Sequence, residues 1–282
     1  MVAFLHNVPS HIFCFTVDVE ESFPGGALAA KFFVDIFARY NIRGTFFATA
    51  EAIDKHPHLI LRIIDEGHEI ASHGYSHYHS SDKRPRGSGI LDHLSHDELR
   101  LEVQRSAESG EKLGIRFKGY RAPSFGINEA ALNILSDFFE YDSSFVTNSL
   151  NHRRCFSQIT KMAEEGKLRV FPVSRTPVLK IPMGGPYLLV LNKKAIMASL
   201  FCRLPVEEPV IYYAHSFESI PLTRAGQRIS PIKWLWYENR CGKNINEYYA
   251  SFIETLLSLE FGFVRMDELL TLPCFSRCFG NP

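Results

Sequence analysis

The sequence predicts an α/β fold in which about seven parallel strands close into a (β/α) barrel. Strand-like and helix-like segments alternate about seven times along the 282 residues, and such alternation favours parallel strands joined by crossover helices. Polar residues follow five of the strand-like segments, and the carboxyl ends of barrel strands share one face. An open doubly wound sheet is the alternative. A barrel gathers five strand ends around one point more readily, so we expect a single domain over residues 1–282.

Individual elements follow from the periodicity of the apolar residues. The predicted strands cover residues 12–17, 44–49, 69–71, 117–120, 141–142, 209–214 and 261–265. The predicted helices cover residues 27–40, 57–66, 128–139, 192–203 and 245–259, and a further helix begins after residue 95. Ser95 and Glu98 fit a capping box at the start of that helix. Residues 168–182 alternate as a hairpin does, whereas residues 147–167 show no regular pattern.

Residues 67–77, GHEIASHGYSH, place two histidines directly after a short apolar strand. His73 and His77 are four residues apart, so both imidazoles can converge on a single cation. Neutral imidazole is the commonest protein ligand for zinc. Because the chain has 12 histidines, two surface histidines in a loop are the alternative for this pair alone. The prediction of a metal site therefore depends on which residues lie at the other strand ends.

The other strand ends carry residues whose chemistry agrees with a metal site. Asp18 and Glu20 are two residues apart, so an extended chain points them to the same face. Glu20 would complete a ligand set of one carboxylate and two histidines with open positions, and Asp18 would accept a proton from water. His215 would protonate a leaving amine, Arg121 would keep Asp18 ionised, and Asp142 would orient Arg121. Taken singly, these residues also suit a helix cap, a buried ion pair and a core histidine.

Charge and hydropathy exclude several classes of partner. The chain has 31 basic and 31 acidic residues, so no bulk charge attracts nucleic acid or a membrane surface. Residues 1–15 lack the basic segment, apolar core and cleavage site of a signal peptide. No apolar run approaches the ~18 residues that span a bilayer. We therefore expect a cytoplasmic protein with no integral membrane segment and no nucleic-acid partner.

Five segments of the chain match, in order, the motifs of one enzyme family. They are FTVDVEESF, RGTFFATAEAIDKHPHLILRIIDEGHEIASHGYSH, GYRAPSFGIN, YDSSF and IYYAHSFE, and they lie within residues 13–270. Together they resemble the polysaccharide deacetylase family, also called the NodB-homology group or carbohydrate esterase family four. The D-V-E at the first strand is similar to the branch linked to exopolysaccharide and O-antigen biosynthesis. The resemblance implies a distorted (β/α) barrel, a divalent metal, usually Zn²⁺, and hydrolysis of an N-acetyl group from an amino sugar.

The resemblance also implies a role for each matching residue. Asp18 would be the base, His73 and His77 metal ligands, Arg121 and Asp142 supports of the base, His215 the acid, and the backbone N–H near Ser124 an oxyanion donor.

The chain departs from the family motifs at three places. Val19 follows Asp18 where most members have a second aspartate, so the metal carboxylate is Glu20 or, as the weaker alternative, Glu21. Phe145 and Val146 stand in the region of the usual tryptophan, and Tyr213 stands where a leucine precedes the acid histidine. These changes alter the acyl pocket, which makes a formyl group an alternative to acetyl.

The expected substrate is an N-acylated amino sugar, either free or carried by a nucleotide or a lipid. The enzyme alternatives are a sugar N-deformylase and a cyclic-amide hydrolase on the same barrel. The alternative from another class is a catalytically inactive carbohydrate-binding homologue. The basic, tryptophan-bearing residues 223–243 suit a solvated crossover loop better than a site for a diphosphate or an anionic glycan.

Overall fold

A curled sheet of parallel strands with helices on its outer face forms the core of the protein. The computed structural model describes residues 11–75, 94–189, 201–204, 208–222, 234, 237–238 and 240–272. In these residues the sheet has eight strands in the order β6-β5-β4-β3-β2-β1-β7, and β8 also pairs with β1. The strands are β1 (His11–Val19), β2 (Thr45–Ala48), β3 (Glu69–Ser72), β4 (Gly119–Tyr120), β5 (Tyr141–Asp142), β6 (Arg169–Val170), β7 (Val210–His215) and β8 (Phe261–Phe263). All the pairs are parallel, which confirms the predicted α/β barrel class.

The two edges of the sheet meet through irregular chain rather than through a regular ladder. The Ser174 N–H donates to the Ile211 carbonyl over 3.0 Å, and the Ile211 N–H donates to the Ser174 hydroxyl over 3.0 Å. A parallel bridge joins Gly184 to Tyr213 in β7. The segment that follows β6 therefore closes the gap to β7, so the barrel is distorted, as the family resemblance implied.

Alternate residues of the strands enter two separate hydrophobic cores. Along β1, Phe13, Phe15 and Val17 belong to the large core between the sheet and the helices. Ile12 and Cys14 belong to a smaller core on the opposite face of the sheet. Because the smaller core also contains inward residues of β2, β3, β5 and β7, it fills the barrel. Asp18 is an even number of residues from Ile12 and Cys14, so it lies on the same face of β1 and its carboxylate points into the barrel.

The helices cover the outer face of the sheet, and side-chain caps start several of them. They are α1 (Lys31–Tyr40), α2 (Ala50–Lys55), α3 (Pro57–Asp65), α4 (His96–Glu111), α5 (Glu129–Leu135), α6 (Leu150–Glu164), α7 (Gly185–Leu188) and α8 (Ile245–Ser258). Ser95 and Glu98 form the predicted capping box before α4. The side chains of Thr49, Asn128 and Ser149 accept backbone N–H bonds at the starts of α2, α5 and α6.

Residues 147–167, for which the sequence indicated no regular structure, contain helix α6. Its buried face consists of His152, Cys155, Ile159 and Met162, which follow helical spacing but include one polar and one weakly apolar residue. Polar side chains between them dilute the periodic signal. The bridge between Arg175 and Pro182 supports the predicted hairpin at 168–182. The predicted helix 192–203 lies mostly outside the described residues.

A polar cluster closes the end of the barrel where the strands begin. The Asp267 N–H donates to the Glu69 carboxylate over 3.0 Å, and the Tyr141 hydroxyl donates to it over 2.9 Å. Burial, and then the charge of Asp267, raise the pKa of Glu69 to about 7. Residues at this end of a barrel serve stability, whereas active sites lie at the carboxyl ends of the strands.

Candidate active site

Four strand ends deliver predicted site residues to one face of the barrel. The registers of neighbouring strands fix which of them are adjacent. Asp18 in β1 pairs with His215 in β7, and Ser72 in β3 pairs with Tyr120 in β4. The second pairing places His73 beside Arg121, and the His73 Nδ1 lies 2.8 Å from the Arg121 carbonyl oxygen. The topology therefore brings Asp18, His73, Arg121 and His215 together.

Arg121 and Asp18 form a buried ion pair at the centre of this face. Arg121 Nη1 donates to Asp18 Oδ1 over 2.8 Å and to the Thr16 hydroxyl over 2.7 Å. The guanidinium carbon lies 4.1 Å from the centre of the Phe47 ring, which packs against its flat face. Burial by itself raises the pKa of Asp18, but the charges of Arg121, His73 and His215 outweigh it and leave this pKa below its usual value. Asp18 is therefore an ionised carboxylate near neutral pH.

Ser143, rather than Asp142, holds the other side of the guanidinium. Arg121 Nη2 donates to the Ser143 hydroxyl over 3.0 Å, and Arg121 Nε donates to the Ser143 carbonyl over 3.3 Å. The Ser143 hydroxyl in turn donates to the Phe171 carbonyl over 2.8 Å. The guanidinium is thus fixed by β1 on one side and by the chain after β5 on the other.

Asp142, which the sequence was expected to place in support of Arg121, makes no hydrogen bond to its guanidinium, and the strand register explains why. Asp142 pairs with Tyr120, so it shares the face of the sheet opposite to that of Arg121. Its carboxylate instead accepts the hydroxyl and the backbone N–H of Ser144, and the Ser144 hydroxyl accepts the Ala122 N–H over 2.7 Å. Burial raises the pKa of Asp142 to about 7, against the bonds from Ser144 and the charge of Arg121. Asp142 therefore supports the backbone next to Arg121, and not the guanidinium.

Glu20 and His73 are the two described residues of the predicted ligand set. Both are buried, at 2% exposure each. Burial raises the pKa of Glu20, while the nearby His215 and His73 oppose this effect and Asp18 adds to it. A carbonyl oxygen only accepts, so the His73 Nδ1 carries the proton and the lone pair of the neutral ring lies on Nε2. This tautomer, with its second nitrogen bonded to a carbonyl, is the one that histidine ligands of metals commonly adopt.

Glu20 and His73 have donor atoms that suit a divalent cation, and the predicted ligand set is incomplete in the described part of the chain. There, no group of three or more His, Cys, Asp or Glu side chains is arranged to hold a metal ion. The third predicted ligand, His77, lies outside the described residues. Glu21, the alternative carboxylate, lies 2.5 Å from His56 Nε2 instead.

His215 is held by a carboxylate that the sequence reasoning did not single out. The Glu218 Oε1 lies 3.0 Å from His215 Nδ1 and accepts the His215 backbone N–H over 3.0 Å. Burial by itself would lower the pKa of His215, but Glu218, followed by Glu20 and Asp18, raises it to about 9. His215 is thus an imidazolium at neutral pH, beside the ionised Asp18. The signal for Glu218 was its place three residues after the histidine, at the end of IYYAHSFE.

Ser124 and Tyr213, the predicted substrate-binding residues, border the same face. Ser124 and Phe125 both have φ 56°, a left-handed conformation that costs non-glycine residues about 1–3 kcal/mol each. Such strain is concentrated at functional sites. The Tyr213 ring is buried, with its centre 5.2 Å from that of Phe125 and 5.5 Å from that of His215.

The chain is similar in sequence and in fold to several known proteins. Residues 16–138 match the family model described as polysaccharide deacetylase. A peptidoglycan-N-acetylglucosamine deacetylase from Bacillus cereus is 32% identical over 92 residues, which are 33% of this chain and 28% of the relative. A family 4 acetyl xylan esterase from Clostridium thermocellum, solved with a cobalt ion, is 16% identical with a TM-score of 0.55, over 95% of this chain and 96% of that chain. A CE4 family pseudoenzyme from Bacillus anthracis is 13% identical with a TM-score of 0.53, over 92% of this chain and 65% of that chain.

Residues 16–138 of the chain are thus similar to the polysaccharide deacetylase family, which its motifs also resemble. At these identities the solved structures show the fold alone. The matched region spans 28% of the length of the Bacillus cereus relative. A match over so small a part does not assign the activity of that protein to this chain. No helix in the described part of the chain combines the length and the apolar character that a membrane span requires.

Proposed function

We propose that the protein is a metal-dependent hydrolase that removes an N-acetyl group from an amino sugar. The observation that carries the proposal is the pairing of an ionised Asp18 with a protonated His215 at adjacent strand ends. One group is ready to accept a proton and the other to donate one. Two titratable groups whose environments push their pKa values apart are the arrangement expected of a general base and a general acid.

The proposed reaction uses the chain's own residues for two proton transfers. Asp18 accepts a proton from water as the water oxygen attacks the amide carbon. His215 then protonates the sugar nitrogen as the carbon–nitrogen bond breaks, which releases acetate and an amine. Arg121 holds Asp18 in place and ionised, and the backbone N–H near Ser124 would help to hold the developing oxyanion. The proton gained by Asp18 and the one lost by His215 balance, so the site returns to its starting state through solvent.

A divalent cation, of which Zn²⁺ fits the donors best, is part of the proposal. Glu20, His73 and His77 would hold it, and when bound it would acidify water and polarise the amide carbonyl. The two described ligands support this assignment through their burial and the tautomer of His73.

A formyl group is the second candidate, and one observation favours it. Tyr213 replaces the leucine of the family motif with a larger ring that lies between Phe125 and His215. A ring at this position leaves less space for the acyl methyl group. The third candidate, a catalytically inactive homologue, has a precedent in the Bacillus anthracis pseudoenzyme. The presence of a candidate base, acid and ligands together argues against it.

The D-V-E motif supports a substrate from exopolysaccharide or O-antigen biosynthesis, carried by a nucleotide or a lipid. Cytoplasmic localisation stays a prediction.

A substrate panel tests the proposal. Nucleotide-linked and lipid-linked N-acetyl and N-formyl amino sugars, chitin oligomers and peptidoglycan are incubated with the zinc-loaded protein, and mass spectrometry detects loss of the acyl group. We expect deacylation of at least one amino sugar that a chelator abolishes and added Zn²⁺ restores, and that is slower in Asp18→Asn by about 10²–10⁴-fold. An Asp18→Asn variant as active as the parent, or no deacylation across the panel, would contradict the proposal.

A further inference from the structure

The carboxylate of Glu218 is fully buried, and each of its oxygens has a partner. Oε1 accepts the His215 N–H and lies 3.0 Å from His215 Nδ1. Oε2 accepts the Tyr249 hydroxyl over 2.7 Å. Glu218 has 0% exposure, and within the described residues the one ionic partner of its carboxylate is His215. A buried carboxylate is costly unless it is paired and hydrogen-bonded, so these contacts define its position.

Three separate elements converge on this carboxylate. The short 3₁₀ helix Ser216–Ser219 places Glu218 three residues after the histidine. Helix α8 brings Tyr249, whose hydroxyl also lies 3.3 Å from the hydroxyl of Tyr212 in β7. Since β7 carries His215 as well, hydrogen bonds connect the histidine, Glu218 and Tyr249 to neighbouring elements of the fold.

A glycine closes the remaining side. A Cβ on Gly185 would lie 2.0 Å from Glu218 Oε2, and a Cβ on Gly184 would lie 2.2 Å from the Tyr213 ring. The bare backbone of these two residues therefore packs directly against the carboxylate and the neighbouring ring. A side chain at either position would overlap these groups, which explains why both residues are glycine.

We infer that Glu218 is the positioning residue for His215 and that Tyr249 and Gly185 fix Glu218 in turn. This inference rests on the proposed function, because it supposes that His215 donates a proton to a leaving amine. A carboxylate only accepts, so Nδ1 of His215 carries a proton towards Glu218. The proton for the amine then leaves from Nε2, on the far side of the ring. Glu218 sets both the direction of the ring and the nitrogen that reacts.

Four variants test the inference on the full-length, metal-loaded protein. Glu218→Gln keeps the shape and removes the charge, Tyr249→Phe removes one hydroxyl, and Gly185→Ala forces the carboxylate aside. Tyr248→Phe is the matched control, because this buried tyrosine lies next to Tyr249 on α8 but makes no hydrogen bond to Glu218.

We expect Glu218→Gln to lower kcat by about 10–100-fold, the range for carboxylates that orient metal-ligating histidines, with little change in KM. The basic limb of the pH profile of kcat/KM should move to lower pH, since Glu20 and Asp18 are then the remaining anions near His215.

The other three variants grade this effect. Tyr249→Phe and Gly185→Ala should shift the basic limb in the same direction by a smaller amount, and Tyr248→Phe should leave the basic limb where it is. Should Glu218→Gln fail to fold, Tyr249→Phe carries the test. An unmoved limb in folded Tyr249→Phe and Gly185→Ala would overturn the inference.

A spectroscopic readout separates this inference from the proposed function. In ¹⁵N-histidine spectra the His215 signal is assigned by its absence from His215→Gln. The parent should show a ring that titrates at higher pH than in Glu218→Gln and carries its proton on Nδ1 when neutral. An inactive parent with this signature would refute the proposed function and leave the contact intact. An active parent whose His215 signal is unchanged in Glu218→Gln would refute the inference alone.

Discussion

Arg121 Nη1 lies 2.8 Å from Asp18 Oδ1, and neither side chain reaches solvent to more than 4% of its surface. The pair joins the end of β1 to the end of β4 across the inside of the barrel. Because the guanidinium also reaches Thr16 and Ser143, Asp18 has little freedom to turn. The ion pair therefore sets both the charge and the direction of the candidate base.

Removal of one partner of this pair should be strongly destabilising. We expect Arg121→Met to lower the free energy of unfolding by about 3–5 kcal/mol, because it leaves an uncompensated buried carboxylate. The double variant Asp18→Asn/Arg121→Met should recover part of this loss. Urea unfolding of the parent, both single variants and the double variant gives the interaction free energy between Asp18 and Arg121.

Arg100→Met is the matched control for that measurement. Arg100 lies at the same 2.8 Å from Asp137, but both side chains are about half exposed. An exposed pair contributes about 0.2–1 kcal/mol. Equal losses for Arg100→Met and Arg121→Met would show that burial of the Asp18 pair does not matter.

Asp18 and Glu20 should separate into a base and a ligand. Asp18→Asn should keep bound zinc and substrate affinity but lose about 10²–10⁴-fold in kcat, the contribution of a general base. Glu20→Gln, like His73→Ala and His77→Ala, should lose zinc and stay folded. Metal content by mass spectrometry and circular dichroism check these outcomes. Loss of zinc from Asp18→Asn with retention in Glu20→Gln would show that the two roles are exchanged.

Asp142 should affect the pH dependence of stability. Its pKa is about 7 in the folded protein and ordinary, near 4, in the unfolded chain, so the folded state keeps the proton longer. The stabilisation from this group is complete below about pH 4 and is lost as pH rises to about 7. Asp142→Asn mimics the protonated form and should escape this loss. Its free energy of unfolding relative to the parent should rise between pH 4 and pH 7, and a constant difference across that range would contradict the assignment.

Tyr213 should control the size of the acyl group. Tyr213→Leu removes the ring between Phe125 and His215 and should raise the ratio of kcat/KM for N-acetyl over N-formyl substrates. One methyl group in an apolar pocket is worth about 10–200-fold in specificity, which sets the scale of the change. Both rate constants are measured on the same sugar. A ratio in Tyr213→Leu within about twofold of the parent's would show that Tyr213 does not line the acyl pocket.

Most of the barrel could be predicted because periodicity and strand-end chemistry are local properties of the sequence. β1, β2 and β7 carry mostly apolar runs that lead to Asp18, Thr49 and His215, and β3 carries the shorter pair Ile70 and Ala71 before His73. Helix α6 was missed because polar residues interrupt its buried face, so its stability comes from tertiary packing and the Ser149 cap.

The contacts of the site could not all be predicted, because they depend on register between strands that are distant in sequence. Asp142 and Ser143 are adjacent, yet only the pairing of Asp142 with Tyr120 shows that Ser143 faces Arg121. Tyr249 lies 31 residues from Glu218 on another element, and nothing in the local pattern connects them. Residue types at strand ends were thus predictable, whereas their partners were not.

Isotope transfer from water tests the central claim most directly. The zinc-loaded protein is incubated in H₂¹⁸O with the N-acyl amino sugar on which it is most active, and the released acid and the sugar are analysed by mass spectrometry. Hydrolysis of the amide predicts one ¹⁸O atom in the released acetate or formate and a free amine on the sugar, with both products formed about 10²–10⁴-fold more slowly by Asp18→Asn. An acyl group that leaves without ¹⁸O, or a sugar that keeps its amide, would contradict the account.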